Sequence, residues 1–250
     1  MTDHVVIDGR PGGADDLALT MAARYGHFTA MQVRGGRVRG LDLHLARLTA
    51  ATQELFGAPL DRDLVVGSIG RALGDVADAG VRVYVVERDG VRVIATAGAP
   101  HRWPDAPRSL MSVTYTRFLP HVKHLGGLPQ AYLGRRAVAH GFDDALLVGA
   151  DGLISEGTIA NLGCFDGERV VWPDAPMLRG VSMGLLDRVL PAEHRPLRVA
   201  DLAGSPLVFL SNSWGLVPVG RVDDLVLKVD EDAWARLVAS FDAVPWDPIV

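Results

Sequence analysis

Apolar and polar residues alternate in "FTAMQVRGGRVRG" on either side of a Gly-Gly pair. Side chains along a strand point to opposite faces with a period of two, so this pattern predicts a β-hairpin. The period then changes. In "LDLHLARLTAATQELFG" the residues Leu41, Leu45, Leu48 and Leu55 recur at helical spacing and Gly57 supplies a stop, which predicts a helix with His44 and Arg47 on one face. A second helix is expected over "LDRDLVVGSIGRALGDVADAG", and "VRVYVVERDGVRVIATAG" reads as a hairpin turning at Asp89-Gly90. Together these elements make a small α+β unit.

Four prolines fall between residues 100 and 122, and the pattern changes after them, so a domain linker is placed there. Residues 1–115 form the small N-terminal domain on this reading, and residues 116–250 a larger C-terminal one. The second half begins at Lys123. It continues with a helix in "LPQAYLGRRAVAHG", strands in "DALLVG", "LISEG", "IANLGCF" and "RVVWP", and a short helix in "GVSMGLLDRVL". A buried strand "PLVFLS" and an amphipathic helix "DEDAWARLVASF" complete it. No internal repeat or low-complexity tract is present.

The 250 residues are 48% hydrophobic and 22% charged, enough to bury a substantial core in an ordinary globular protein. A formal net charge of −5 without any basic block disfavours nucleic acid or an anionic membrane as the main partner. The single cysteine, Cys164, fits a reducing, cytoplasmic setting, and inside "NLGCFDG" it reads as a small apolar strand residue rather than a nucleophile. The start "MTDHVVIDGRPGG" lacks the pattern of an export signal, and no apolar run is long enough to span a membrane. His121 and His124 lack a third ligand at zinc-type spacing, so no metal site is expected. Walker, dinucleotide and nucleophile-elbow motifs are absent.

One residue stands out against the composition. The chain has 23 arginines and only two lysines, Lys123 and Lys228. Unlike arginine, lysine can lose its proton when desolvated and condense with an aldehyde, so Lys123 in "HVKHLGGLPQ" is a candidate for chemistry. Lys228, in "DLVLKVDED", reads as an ordinary solvated charge. Two candidate anion sites follow Lys123 in the chain. Gly180 and Ser182 open a helix whose free N–H groups suit a phosphate, although they would serve equally well as a turn and N-cap. Ser211 and Asn212 follow a buried strand in "FLSNSWGLVPV".

In order and spacing, Lys123, "AVAHGFDDALLVGADGLISEGTIANLGCF", "WPDAPMLRGVS" and "SNSWGLVPV" resemble the class IV aminotransferases. That family of pyridoxal-phosphate enzymes includes branched-chain and D-amino-acid aminotransferases and aminodeoxychorismate lyase. The stretch "YGHFTAMQVRGGRVRGLDLHLARL" is similar to the family's hairpin and His-x-x-Arg-Leu, so the resemblance runs from about Tyr25 to Val219. It implies a two-domain α+β fold, fold type IV, and a homodimer. It also implies that Lys123 forms the Schiff base with pyridoxal phosphate and that Glu156 meets the pyridine nitrogen. Arg47, the helix start at Val181 and Ser182, and the turn at Ser211 and Asn212 would hold the phosphate, with Asn161 supporting the site. Substrate contacts would come from Phe28 and the neighbourhood of Arg82, Tyr84 and Arg88.

The chain departs from the family pattern in three places. The N-terminal loop is reduced to "MAARYGHF", the tyrosine often found five residues after the lysine is Leu128, and a Gly-Thr pair is replaced by Ser211-Asn212. The resemblance implies amino-group transfer between an amino acid or amine and a 2-oxo acid. The string "KHLGGLPQ" is closer to the lyase branch, which makes carbon–carbon elimination releasing pyruvate the alternative. A non-catalytic binding module on the same scaffold is a third reading, and the retained Lys123 and Glu156 argue against it.

Overall fold

The structure, a computed structural model, describes residues 4–13, 16 and 25–249. Residues 1–3 of the N-terminal reading and "MAAR" of the shortened loop lie outside them. The chain forms two compact units. One comprises Met1–His101, Val122–Gly126 and Pro245–Val250, and the other Arg102–His121 and Gly127–Val244.

The first unit contains β1 (His4–Ile7), β2 (Arg10–Pro11), β3 (Gly26–Arg34), β4 (Arg37–Val38), α1 (Leu41–Phe56), α2 (Arg62–Leu73), β5 (Ala79–Glu87) and β6 (Val91–Gly98). Its antiparallel sheet runs from a terminal strand, Asp247–Pro248, through β4, β3, β5, β6 and β1 to β2. The β3–β4 turn forms where expected because Gly35 and Gly36 both sit at positive φ, 56° and 71°, which matches the twist of a two-residue hairpin. Alternation then decides the faces. Met31, Val33, Val81, Val83 and Val85 point to one side and pack against Leu45, Leu48, Val65 and Ile69 of the two helices. Helix α1 stops at Gly57, whose φ of 63° closes the last turn. The second helix is shorter than expected. It ends at Gly74 rather than running to Gly80, because the chain needs the following residues to enter β5.

In the second unit the elements are β7 (Arg108–Thr114), α3 (Leu128–Ala139), β8 (Asp144–Val148), β9 (Ile154–Gly157), β10 (Asn161–Phe165), β11 (Val170–Pro173) and α4 (Val181–Val189). They continue with β12 (Ala192–Arg195), β13 (Leu207–Asn212), β14 (Gly215–Val222), β15 (Leu225–Val226) and α5 (Glu231–Asp242). The sheet order is β12-β11-β10-β13-β14-β7-β8-β9, with β15 paired to β14. The proline-rich stretch is therefore not a plain linker. It contains β7, which lies parallel to both β14 and β8, partners too distant in sequence for a local pattern to reveal.

The middle of this sheet tolerates little change. A Cβ on Gly163 would lie 2.6 Å from Phe209 Cζ and 2.7 Å from Trp172 Cζ3, and both rings are fully buried. Gly163→Ala is expected to destabilise the protein by about 1–3 kcal/mol through overpacking. Chemical denaturation measures this, and an unchanged midpoint would contradict it.

Candidate active site

Lys123 is fixed by its backbone. Strand β5 takes one edge of β3, β4 covers only Val33 and Arg34 of the other, and the segment Val122–Gly126 pairs with β3 at Gly26–Phe28. Phe28 N donates to Lys123 O at 2.9 Å, Leu125 N donates to Gly26 O at 2.9 Å, and His27 and His124 form an antiparallel bridge. Gly26 is required there, since a Cβ would lie 3.1 Å from Leu125 Cδ1 and 2.6 Å from Val85 O. Held this way, Lys123 places Nζ 4.8 Å from the centroid of the Phe28 ring. Phe28 in turn stacks on Tyr84 at 5.7 Å. Arg82, one strand step away on the face of Tyr84, is exposed. Arg88 lies in the exposed turn after β5. Lys228 is exposed as well and pairs with Asp230 at 2.8 Å.

On the opposite face of β3, Thr29 is fully buried beneath α1. Arg47 donates from Nη2 to Thr29 Oγ1, and His44 Nδ1 lies 2.6 Å from the same oxygen. Burial pushes the Arg47 guanidinium down to about 10. Its Nε, buried, has no hydrogen-bond partner among the described residues. Burial, reinforced by the Arg47 charge, also holds His44 well below the usual histidine range, so this imidazole is neutral.

In the second unit Glu156 occupies β9 and is 4% exposed. Its Oε1 accepts from Arg117 Nη1 at 3.1 Å and from Leu178 N at 3.2 Å. The sequence reading missed Arg117, which lies 39 residues from its partner and carries no local signal. Asn161 in β10 clamps the same loop. Its Nδ2 donates to Leu178 O at 2.7 Å and its Oδ1 accepts from Gly180 N at 3.1 Å. A Cβ on Gly180 would fall 2.2 Å from Asn161 Oδ1, so only glycine fits.

This loop delivers the start of α4. Gly180 is the N-cap residue, and no side chain among the described residues caps the helix. Ser182 is not the cap, because its hydroxyl instead donates to Asn212 O at 2.6 Å. The first N–H groups, beginning at Val181, therefore stay available for an anion. Ser211 stands directly opposite Asn161 across β10 and β13, is 1% exposed, and its Oγ has no partner among the described residues. The Asn212 side chain is committed to its own turn, accepting from Trp214 N at 2.7 Å and donating to Ile159 O at 3.4 Å. Glu156, Asn161, Val181, Ser182 and Ser211 thus form one group, to which Asn212 contributes backbone. Cys164 is buried in β10, and burial raises its thiol above the usual range, consistent with an inert strand residue.

Comparison with known proteins bears on this arrangement. A 4-amino-4-deoxychorismate lyase from Pseudomonas aeruginosa is 25% identical with a TM-score of 0.77, covering 96% of this chain and 99% of that one. The PLP-bound form of a hypothetical aminotransferase from Mycobacterium tuberculosis is 22% identical with a TM-score of 0.79, over 96% and 98% of the two chains. The branched-chain amino acid aminotransferase from Escherichia coli is 17% identical with a TM-score of 0.82, over 100% and 99%. At these last two identities the likeness is one of fold: fold type IV. No curated protein matches the sequence. The family model for amino-transferase class IV matches residues 26–222, most of the chain, and the protein belongs to that family.

Proposed function

We propose that the protein is a pyridoxal-phosphate enzyme that transfers an amino group between an amino acid or amine and a 2-oxo acid. Pyridoxal phosphate is the cofactor, and the residues fit it. In the first unit the buried Nε of Arg47, and in the second the buried hydroxyl of Ser211, have no partner among the described residues, and each is a donor of the kind a phosphate takes. The observation that carries the reading is Lys123, an amine whose backbone is held to β3 at its own carbonyl and at Leu125 N, in a chain with 23 arginines and one other lysine.

When bound, the cofactor supplies an aldehyde for the amine and a ring that accepts the electron pair left at the substrate carbon. Lys123 gives the covalent attachment point. Once freed, its amine would act as the base that takes and returns the proton at the substrate carbon. Glu156 would keep a proton on the ring nitrogen. Arg47, Ser211 and the backbone N–H groups at Val181 and Ser182 would hold the phosphate, while Asn161 holds the loop that presents the start of α4. Phe28 and Tyr84 form an aromatic wall beside the amine, and Arg82 offers a cation to a substrate carboxylate. A cytoplasmic homodimer completes the proposal, and no described helix is long and apolar enough to cross a membrane.

The lyase reading is favoured by one observation, the string "KHLGGLPQ" around the lysine. The two reactions separate in a single experiment. For a transaminase, an amino donor alone bleaches the enzyme's visible absorption stoichiometrically, and a 2-oxo acid restores it. Pyruvate released from aminodeoxychorismate with the absorption unchanged would make the lyase correct instead.

A further inference from the structure

We propose that Thr29 and His44 are positioning residues for Arg47, holding its guanidinium in a fixed orientation before the phosphate arrives. The inference rests on the reading of Arg47 as the phosphate anchor and extends it to two residues to which that reading gives no role. Thr29 is fully buried on β3, and His44 is 3% exposed on α1, one helical turn before Arg47.

The order of protons follows from the inventory of donors. Arginine has only donors, so Thr29 Oγ1 accepts from Nη2. The single hydroxyl proton of Thr29 is then left for His44 Nδ1, 2.6 Å away, which must be unprotonated to receive it. The neutral imidazole described above meets that condition, with its own proton on Nε2. The chain Arg47 to Thr29 to His44 uses one corner of the guanidinium fork and leaves the other donors, Nε among them, for an anion. A long side chain ordered in advance loses less freedom when its ligand binds. In place of an acidic partner, which would compete with a phosphate, the protein orients this arginine with two neutral groups.

The test uses the full-length apoenzyme titrated separately with pyridoxal phosphate and with pyridoxal, which lacks the phosphate. The ratio of the two affinities reads the phosphate alone. Thr29→Val and His44→Ala are each expected to lower that ratio about tenfold, the scale of one hydrogen bond to a charged group, with pyridoxal affinity unchanged. Thr29→Ser, which keeps the hydroxyl, is expected to retain the wild-type ratio. A wild-type ratio in Thr29→Val or in His44→Ala would overturn the inference, and His44→Ala carries the test alone if the valine variant does not fold. Arg47→Met reports separately on the underlying reading. If its ratio also stays at the wild-type value, the phosphate anchor itself has been misassigned and the inference falls with it.

Discussion

Lys123→Arg is expected to reduce turnover at least about a thousandfold, a loss of ~4 kcal/mol in transition-state stabilisation, while leaving the protein folded. Arginine keeps the positive charge and the aliphatic stem, so packing against Phe28 survives. The guanidinium cannot give up its proton in the accessible pH range, which removes both the nucleophile and the proton carrier. The backbone bonds to Gly26 and Phe28 do not depend on the side chain and should persist. Melting temperature and single-turnover rates measured on one preparation separate the two contributions. A variant that retains turnover within tenfold would remove Lys123 from the chemistry.

The second large effect is expected at Glu156. Glu156→Gln keeps the size of the side chain and its ability to accept from Leu178 N but removes the negative charge. Without it the ring nitrogen loses the group that holds its proton, and turnover should fall at least about a hundredfold, or ~3 kcal/mol. Stability should fall too. Arg117 and Glu156 are 9% and 6% exposed at their side chains, and removing one charge of a buried pair typically costs about 3–5 kcal/mol. The rates must therefore be compared at equal cofactor occupancy, followed by absorbance. Equal turnover at equal occupancy would leave Glu156 a structural residue that ties Arg117 to the loop before α4.

What the sequence made legible was local. Gly35-Gly36 and Gly57 announce the β3–β4 turn and the end of α1, since each position demands a positive φ that other residues rarely adopt. Lys123 was visible because the rest of the chain avoids lysine. The spacing of His44 and Arg47 put them on one helix face, where the structure joins them through Thr29. Contacts formed by distant segments were not legible. Strand β7 hides in a proline-rich stretch because its neighbours β14 and β8 come later in the chain. Arg117 looked like one of many arginines until the fold set it beside Glu156. Gly180 and Ser182 allowed two readings from sequence. In the structure Gly180 is the N-cap residue of α4, while the Ser182 hydroxyl donates to Asn212 O and does not cap the helix.

The central claim is that Lys123 carries the cofactor, and borohydride reduction of the purified holoenzyme followed by peptide mass mapping tests it most directly. The account predicts a reduced pyridoxyl phosphate adduct on the peptide containing Lys123, with Lys228 unmodified and no adduct on Lys123→Arg. An adduct confined to Lys228, or none on a protein saturated with pyridoxal phosphate, would contradict it.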